Sequence, residues 1–138
     1  MGKRFNTFYM DEALFNLEKV ISRAKENLAD LEFDTLVGTG LSGGIVVPAL
    51  ALAMGKKFVL VRKESDDSHH GGGQLLGELG ARWIFVDDFV SSGRTRERVI
   101  DRVGEEAAKR DAETEFVGQY MYMYYYYYGE DGPQFEEC

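Results

Sequence analysis

Leu14, Leu17, Ile21, Ala24 and Leu28 recur three or four positions apart. That spacing places them on one face of a helix, with Asp11 as its N-cap and an end near Asp30. "FDTLVG" then reads as a short buried strand closed by glycine. From Gly43 or Gly44, "GIVVPALALAM" reads as a mostly buried helix, with Pro48 in its first turn or two and Gly55 as its stop. "KKFVLVRK" is a second strand. "RWIFVDD" is a third, apolar until it reaches two aspartates. "FVSSGRT" is a turn, and "RERVIDRVGEEAAKR" is an amphipathic helix with Val99, Val103 and Ala107 inward. "EFVGQYMYMYYYYYG" is a last extended segment, aromatic enough for a strand. Between the second and third strands lies "ESDDSHHGGGQLLGELG". It is polar, glycine-rich and too long for a plain connection, which marks a functional loop.

Helices therefore alternate with short apolar strands. The pattern predicts an α/β fold: a three-layer parallel sheet with helices on both faces. Ligands of such sheets bind at the carboxyl ends of the strands. Both glycine-rich turns and the aspartate pair fall there. Residues 1–128 read as a single domain, with an N-terminal helix in 1–32, a core in 33–111 and a tyrosine-rich strand in 115–128. The acidic stretch 129–138, "GEDGPQFEEC", reads as a solvated tail.

Composition narrows the function. A chain of 138 residues suffices for one domain. The net charge of -8 excludes a general binder of nucleic acid or anionic membrane, which needs a basic surface. A small phosphorylated ligand stays open, because a few backbone N–H groups and one or two cations suffice locally. The single cysteine, Cys138, allows no internal disulfide and suits a reducing compartment. No signal-peptide pattern opens the chain, and no apolar run reaches the about 18 residues of a membrane span. The expectation is a cytoplasmic protein.

"GTGLSGG" carries Gly38, Gly40 and Gly43 in the G-x-G-x-x-G spacing of dinucleotide loops. Taken alone it is equally a tight strand-to-helix turn. A dinucleotide site also wants an acid at the end of the second strand, where Arg62 and Lys63 stand. "WIFVDDFVSSGRT" is more specific. Its apolar residues deliver Asp87 and Asp88 to a strand end, and a small, hydroxyl-rich turn then opens a helix. Helix-start amides with Ser91, Ser92 and Thr95 suit a phosphate dianion, and Gly93 lets the backbone come close. The acid pair would repel that phosphate unless it faced sugar hydroxyls or a divalent cation. Simple helix capping also uses acids after a strand, but does not need two.

This stretch resembles the phosphoribosyl-pyrophosphate (PRPP) motif of the type I phosphoribosyltransferases. The order of parts agrees from about Asp34 to Arg110: a loop after the first strand, a basic pair after the second, then a long loop at about Glu64 to Gly73. "RKESDDSHHGGG" is similar to the loop of the orotate enzymes. The resemblance implies transfer of 5-phosphoribosyl from PRPP to a nitrogenous base, with release of pyrophosphate, dependence on Mg²⁺, and a pyrimidine such as orotate as acceptor. It implies that Asp87 and Asp88 bind the ribose hydroxyls, directly or around Mg²⁺. It implies that Val90, Ser91, Ser92, Gly93, Arg94 and Thr95 wrap the 5-phosphate. Thr39, Gly40, Leu41, Ser42 and Gly43 would hold the pyrophosphate, with Arg62 and Lys63 adding positive charge.

The chain departs from the pattern in three places. The hypoxanthine-type enzymes carry an acid where Ser91 stands, so a general base at that point is absent. The orotate enzymes carry a catalytic lysine in the mobile loop; here that region holds Asp66 and Asp67, and only His69 and His70 there can become cationic. Those histidines join Lys63, Asp87 and Asp88 as the catalytic candidates, though polar residues of a solvated loop often include histidine. No cysteine or third histidine accompanies them as a metal set. The region that recognises the base is also short. The missing lysine raises an alternative, a non-catalytic PRPP- or nucleotide-binding regulator of the same fold. The run Tyr124–Tyr128 reads as a strand with one face in a subunit interface, or as a stacking wall for a planar base. Five adjacent aromatics exposed on a monomer would invite aggregation, so a homodimer is expected.

Overall fold

The computed structural model describes residues 2–5, 10–62, 75–88, 93–123 and 134–137. In chain order the elements are α1 (Asp11–Phe15), α2 (Leu17–Asn27), β1 (Thr35–Thr39), α3 (Gly40–Met54), β2 (Lys57–Val61), β3 (Leu75–Gly77), β4 (Arg82–Asp87), α4 (Arg94–Lys109), β5 (Glu115–Met121) and β6 (Gln134–Glu137). The strands form one sheet in the order β3-β2-β1-β4-β5-β6. The four central strands are parallel, while β3 and β6 pair antiparallel at the edges.

Strand alternation splits the core in two. On one face Leu36, Ile84, Val86, Val117 and Tyr120 pack with Val20, Ala24, Val46, Val47 and Leu50 of α2 and α3. On the other, Val37, Val59, Trp83 and Phe85 pack with Val99 and Val103 of α4. The inward positions expected for α4, Val99, Val103 and Ala107, are all buried. This is the expected α/β architecture with helices on both faces.

Four details differ from the sequence reading. The sheet is mixed rather than all parallel. Its two edge strands come from the long loop and from the acidic stretch, each too short to carry a period. The stretch expected as a solvated tail supplies β6 at 134–137. There Gly118 leaves room for the Phe135 ring, since a Cβ at 118 would stand 2.5 Å from its Cζ. Gln119 Nε2 also donates to Glu136 Oε2 at 2.8 Å.

The single N-terminal helix is two helices, broken at Asn16 (φ -123°, ψ 26°), and Met10 rather than Asp11 holds the N-cap. The Asn16 backbone N–H donates to the Glu12 carbonyl, while its own carbonyl accepts from Lys19 and Val20. One residue thus ends α1 and starts α2. The break turns Leu14 out of the stripe, leaving it 39% exposed.

Finally, α3 begins at Gly40, three or four residues before the expected start, so Pro48 lies in its third turn. Proline withholds the bond to the carbonyl four residues back. That carbonyl belongs to Gly44, which is exposed to water.

Candidate active site

Parallel pairing brings the ends of β2, β1 and β4 to one edge of the sheet. Thr39 is in register with Val61, the residue before Arg62, and β4 ends beside them at Asp87. Two helices start at this edge. α3 follows β1 directly, and α4 follows β4 after Gly93. Neither N-cap residue makes a side-chain cap. The Thr39 hydroxyl is turned away and donates to the Val61 carbonyl at 2.6 Å. Gly93, at φ 80°, has no side chain to offer. Both helices therefore start with backbone N–H groups uncapped by the residue that usually caps them.

The glycines of "GTGLSGG" divide the work. Gly40 has φ 75°, the left-handed turn from strand to helix. Gly38 and Gly43 serve packing instead. A Cβ on Gly38 would stand 2.5 Å from Val47 Cγ2, and one on Gly43 would stand 3.3 Å from the Gly38 carbonyl carbon. Bare backbone on both sides lets the first turn of α3 lie against β1. Leu41 is 76% exposed at that turn, while Ser42 is half-buried.

Asp87 and Asp88 sit half-buried between the two helix starts. Burial, then the charge of Asp88, push the Asp87 carboxyl up to about 7; the Asp88 N–H and the Arg98 charge act against this. The Asp88 N–H donates to Asp87 Oδ1 at 2.8 Å. An acid held this far above its ordinary range at a strand end is a mark of a functional site.

The structure thus brings together Thr39, Gly40, Leu41, Ser42, Gly43, Arg62, Asp87, Asp88, Gly93, Arg94 and Thr95. Lys63, His69, His70, Val90, Ser91, Ser92 and Tyr124–Tyr128 lie outside the described residues. Two further residues enter the site. Arg98 Nη2 donates to Thr39 Oγ1 at 3.3 Å. Tyr122, 1% exposed, has a buried hydroxyl with no well-aligned hydrogen-bond partner among the described residues. Burial pushes that phenol far above its usual range, and the nearby Ser42 hydroxyl pulls it back only in part. Neither residue announces itself in the sequence. Arg98 reads as one more charge on the polar side of a helix, and Tyr122 as one more aromatic. A separate groove of about 310 Å³, lined by Val59, Leu75, Glu106, Ala107 and Arg110, opens at the far end of α4, away from the acid pair.

No family model matches the chain. Individual proteins do. The chain is 32% identical over 114 residues to an orotate phosphoribosyltransferase of Archaeoglobus fulgidus, covering 78% of this chain and 63% of that one. It is 35% identical over 91 residues to an adenine phosphoribosyltransferase of Bifidobacterium longum subsp. infantis, covering 53% and 47%. The chain is similar to members of the type I phosphoribosyltransferase family. Its fold also matches the orotate phosphoribosyltransferase of Mycobacterium tuberculosis solved with PRPP, at a TM-score of 0.57 and 20% identity, over 78% of this chain and 60% of that one. The phosphoribosyltransferase relatives are longer; the chain spans about half to two thirds of them. Among the described residues, no helix is long and apolar enough to cross a membrane.

Proposed function

We propose that this chain is a PRPP-dependent phosphoribosyltransferase that moves 5-phosphoribosyl to a nitrogenous base and releases pyrophosphate. The observation that carries the proposal is the pair of helix starts, uncapped by their own N-cap side chains, with Asp87 and Asp88 between them. That arrangement suits a ligand with phosphate at both ends and a diol in the middle. The first-turn amides of Gly40 to Gly43 hold the pyrophosphate, with Arg62 adding positive charge. Gly93, Arg94 and Thr95 open the helix that receives the 5-phosphate. Asp87 and Asp88 accept hydrogen bonds from the ribose hydroxyls.

A ring nitrogen of the base attacks C1 as the bond from C1 to the pyrophosphate oxygen breaks. Positive charge gathers on the ribose in between, so the residues act by placement and electrostatics. Mg²⁺ suits the acid pair, because such sites use one or two carboxylates together with substrate oxygens and water. The raised proton affinity of Asp87 fits this, since a cation would offset both its burial and the charge of Asp88 beside it. When bound, the ion would neutralise charge on the departing pyrophosphate.

The names of the relatives support orotate as the first acceptor to test and adenine as the second. The aromatic run 124–128 supports a homodimer, and the cysteine usage a cytoplasmic site of action. The test is release of pyrophosphate from PRPP and Mg²⁺ with a panel of pyrimidine and purine bases. Turnover on one base establishes the activity and names the acceptor. PRPP binding without turnover on any base would refute it in favour of the regulator.

A further inference from the structure

The Thr39 hydroxyl lies where three substrate-facing segments meet. It donates to the carbonyl of Val61, which directly precedes Arg62. It accepts from Arg98 Nη2, one turn beyond Arg94 in α4. It belongs to the residue directly before Gly40, where α3 begins. Thr39 is 7% exposed, so water competes little for these bonds. Asp87 also feels the charge of the same guanidinium. Its planar fork of five donors suits a side chain facing two acceptors at once.

We propose that Arg98 is a positioning residue that couples the two phosphate-holding helix starts through the hydroxyl of Thr39. The inference rests on the PRPP reading of the site. The α3 start alone can hold a pyrophosphate, and the α4 start alone a sugar phosphate. A ligand with both ends gains from both only if their spacing is set in advance; otherwise binding must order it. Arg98 and Thr39 form a direct side-chain link between α4 and the end of β1. Arg98 therefore acts on the two-ended ligand and hardly at all on either end separately.

The test is titration calorimetry of the full chain in Mg²⁺ with PRPP, ribose 5-phosphate and pyrophosphate, beside thermal melting. For Arg98→Met, PRPP affinity falls at least about tenfold, while the one-ended ligands stay within about threefold. Thr39→Val, which keeps the charge and breaks the link, repeats the pattern. Arg98→Lys keeps the charge but not the planar fork, so it recovers the lost PRPP affinity only in part. Equal losses for all three ligands would overturn the inference and make Arg98 a general electrostatic or structural residue. So would a Thr39→Val variant that binds PRPP like the wild type. A wild-type chain that binds PRPP no more tightly than pyrophosphate overturns the PRPP reading itself, and is recognised before any variant is made.

Discussion

The backbone N–H of Tyr122 donates to the carbonyl of Asp87 at 3.1 Å, one step beyond the last residue of β5. Met123 repeats the contact with Asp88 at 3.3 Å. The strand that leads into the tyrosine run is therefore joined to the acid pair through main chain. The acids are held in place by the sheet itself.

That fixed backbone gives the acid pair a clear test. Replacing Asp87 and Asp88 together by Asn keeps size and removes two charged acceptors. Charged hydrogen bonds contribute about 1.5–3 kcal/mol each, so PRPP affinity should fall about 100-fold or more in Mg²⁺. Calorimetry checks this. Unchanged affinity would remove both residues from the site.

Asp87 also makes stability depend on pH. Its folded value, about 7, lies above the ordinary 3.8. The folded state thus holds the proton more tightly than the unfolded chain. The stabilisation is complete below the ordinary value, declines as pH rises toward about 7, and is gone above it. With partial exposure discounted, the ligand-free protein should lose about 2 kcal/mol between pH 4 and pH 8 through this group. Asp87→Asn should remove that part of the slope. Denaturant titrations at several pH values measure it, and parallel wild-type and variant curves would contradict the assignment.

Two glycines six positions apart should respond oppositely to alanine. Gly38→Ala drives a methyl into Val47 and should cost about 1–3 kcal/mol by overpacking. Gly44 is helical, exposed and faces open space, so Gly44→Ala should stabilise by about 0.5–1 kcal/mol. Chemical denaturation of the two variants decides whether the glycines of this turn serve packing at 38 and only tolerance at 44.

The edge strand β6 can be tested by ending the chain after residue 133. Removal takes away the half-buried Phe135 and the bond between Gln119 and Glu136. The cost should be about 2 kcal/mol or more, with β5 left as an open edge that promotes association. A melting temperature and a sedimentation profile like those of the full chain would mean that 134–137 contributes nothing to the fold.

Much of the architecture was legible because burial leaves a period in the sequence. The runs at 35–39, 57–61 and 82–87 became parallel strands, and the stripe Val99, Val103, Ala107 became the buried side of α4. Where burial is shallow the signal failed. Leu75–Gly77 and Gln134–Glu137 are three and four residues long, and charges dominate the second. Asn16 broke a helix whose apolar spacing ran on regardless, because a helix boundary depends on backbone bonds that the spacing does not encode.

The site divides in the same way. Sequence by itself determined that two acids end an apolar strand, that a small-residue turn follows, and that glycines precede an apolar helix. These are local facts, written in neighbouring residues. Only the tertiary structure decided that Gly38 and Gly43 serve packing while Gly40 makes the turn. Only it decided that the Thr39 hydroxyl is spent on Val61, and that Arg98 reaches Thr39 across 59 positions of chain. The reason is physical. A hydrogen bond between distant segments depends on where the sheet and its helices bring two side chains, and no spacing along the chain records that distance.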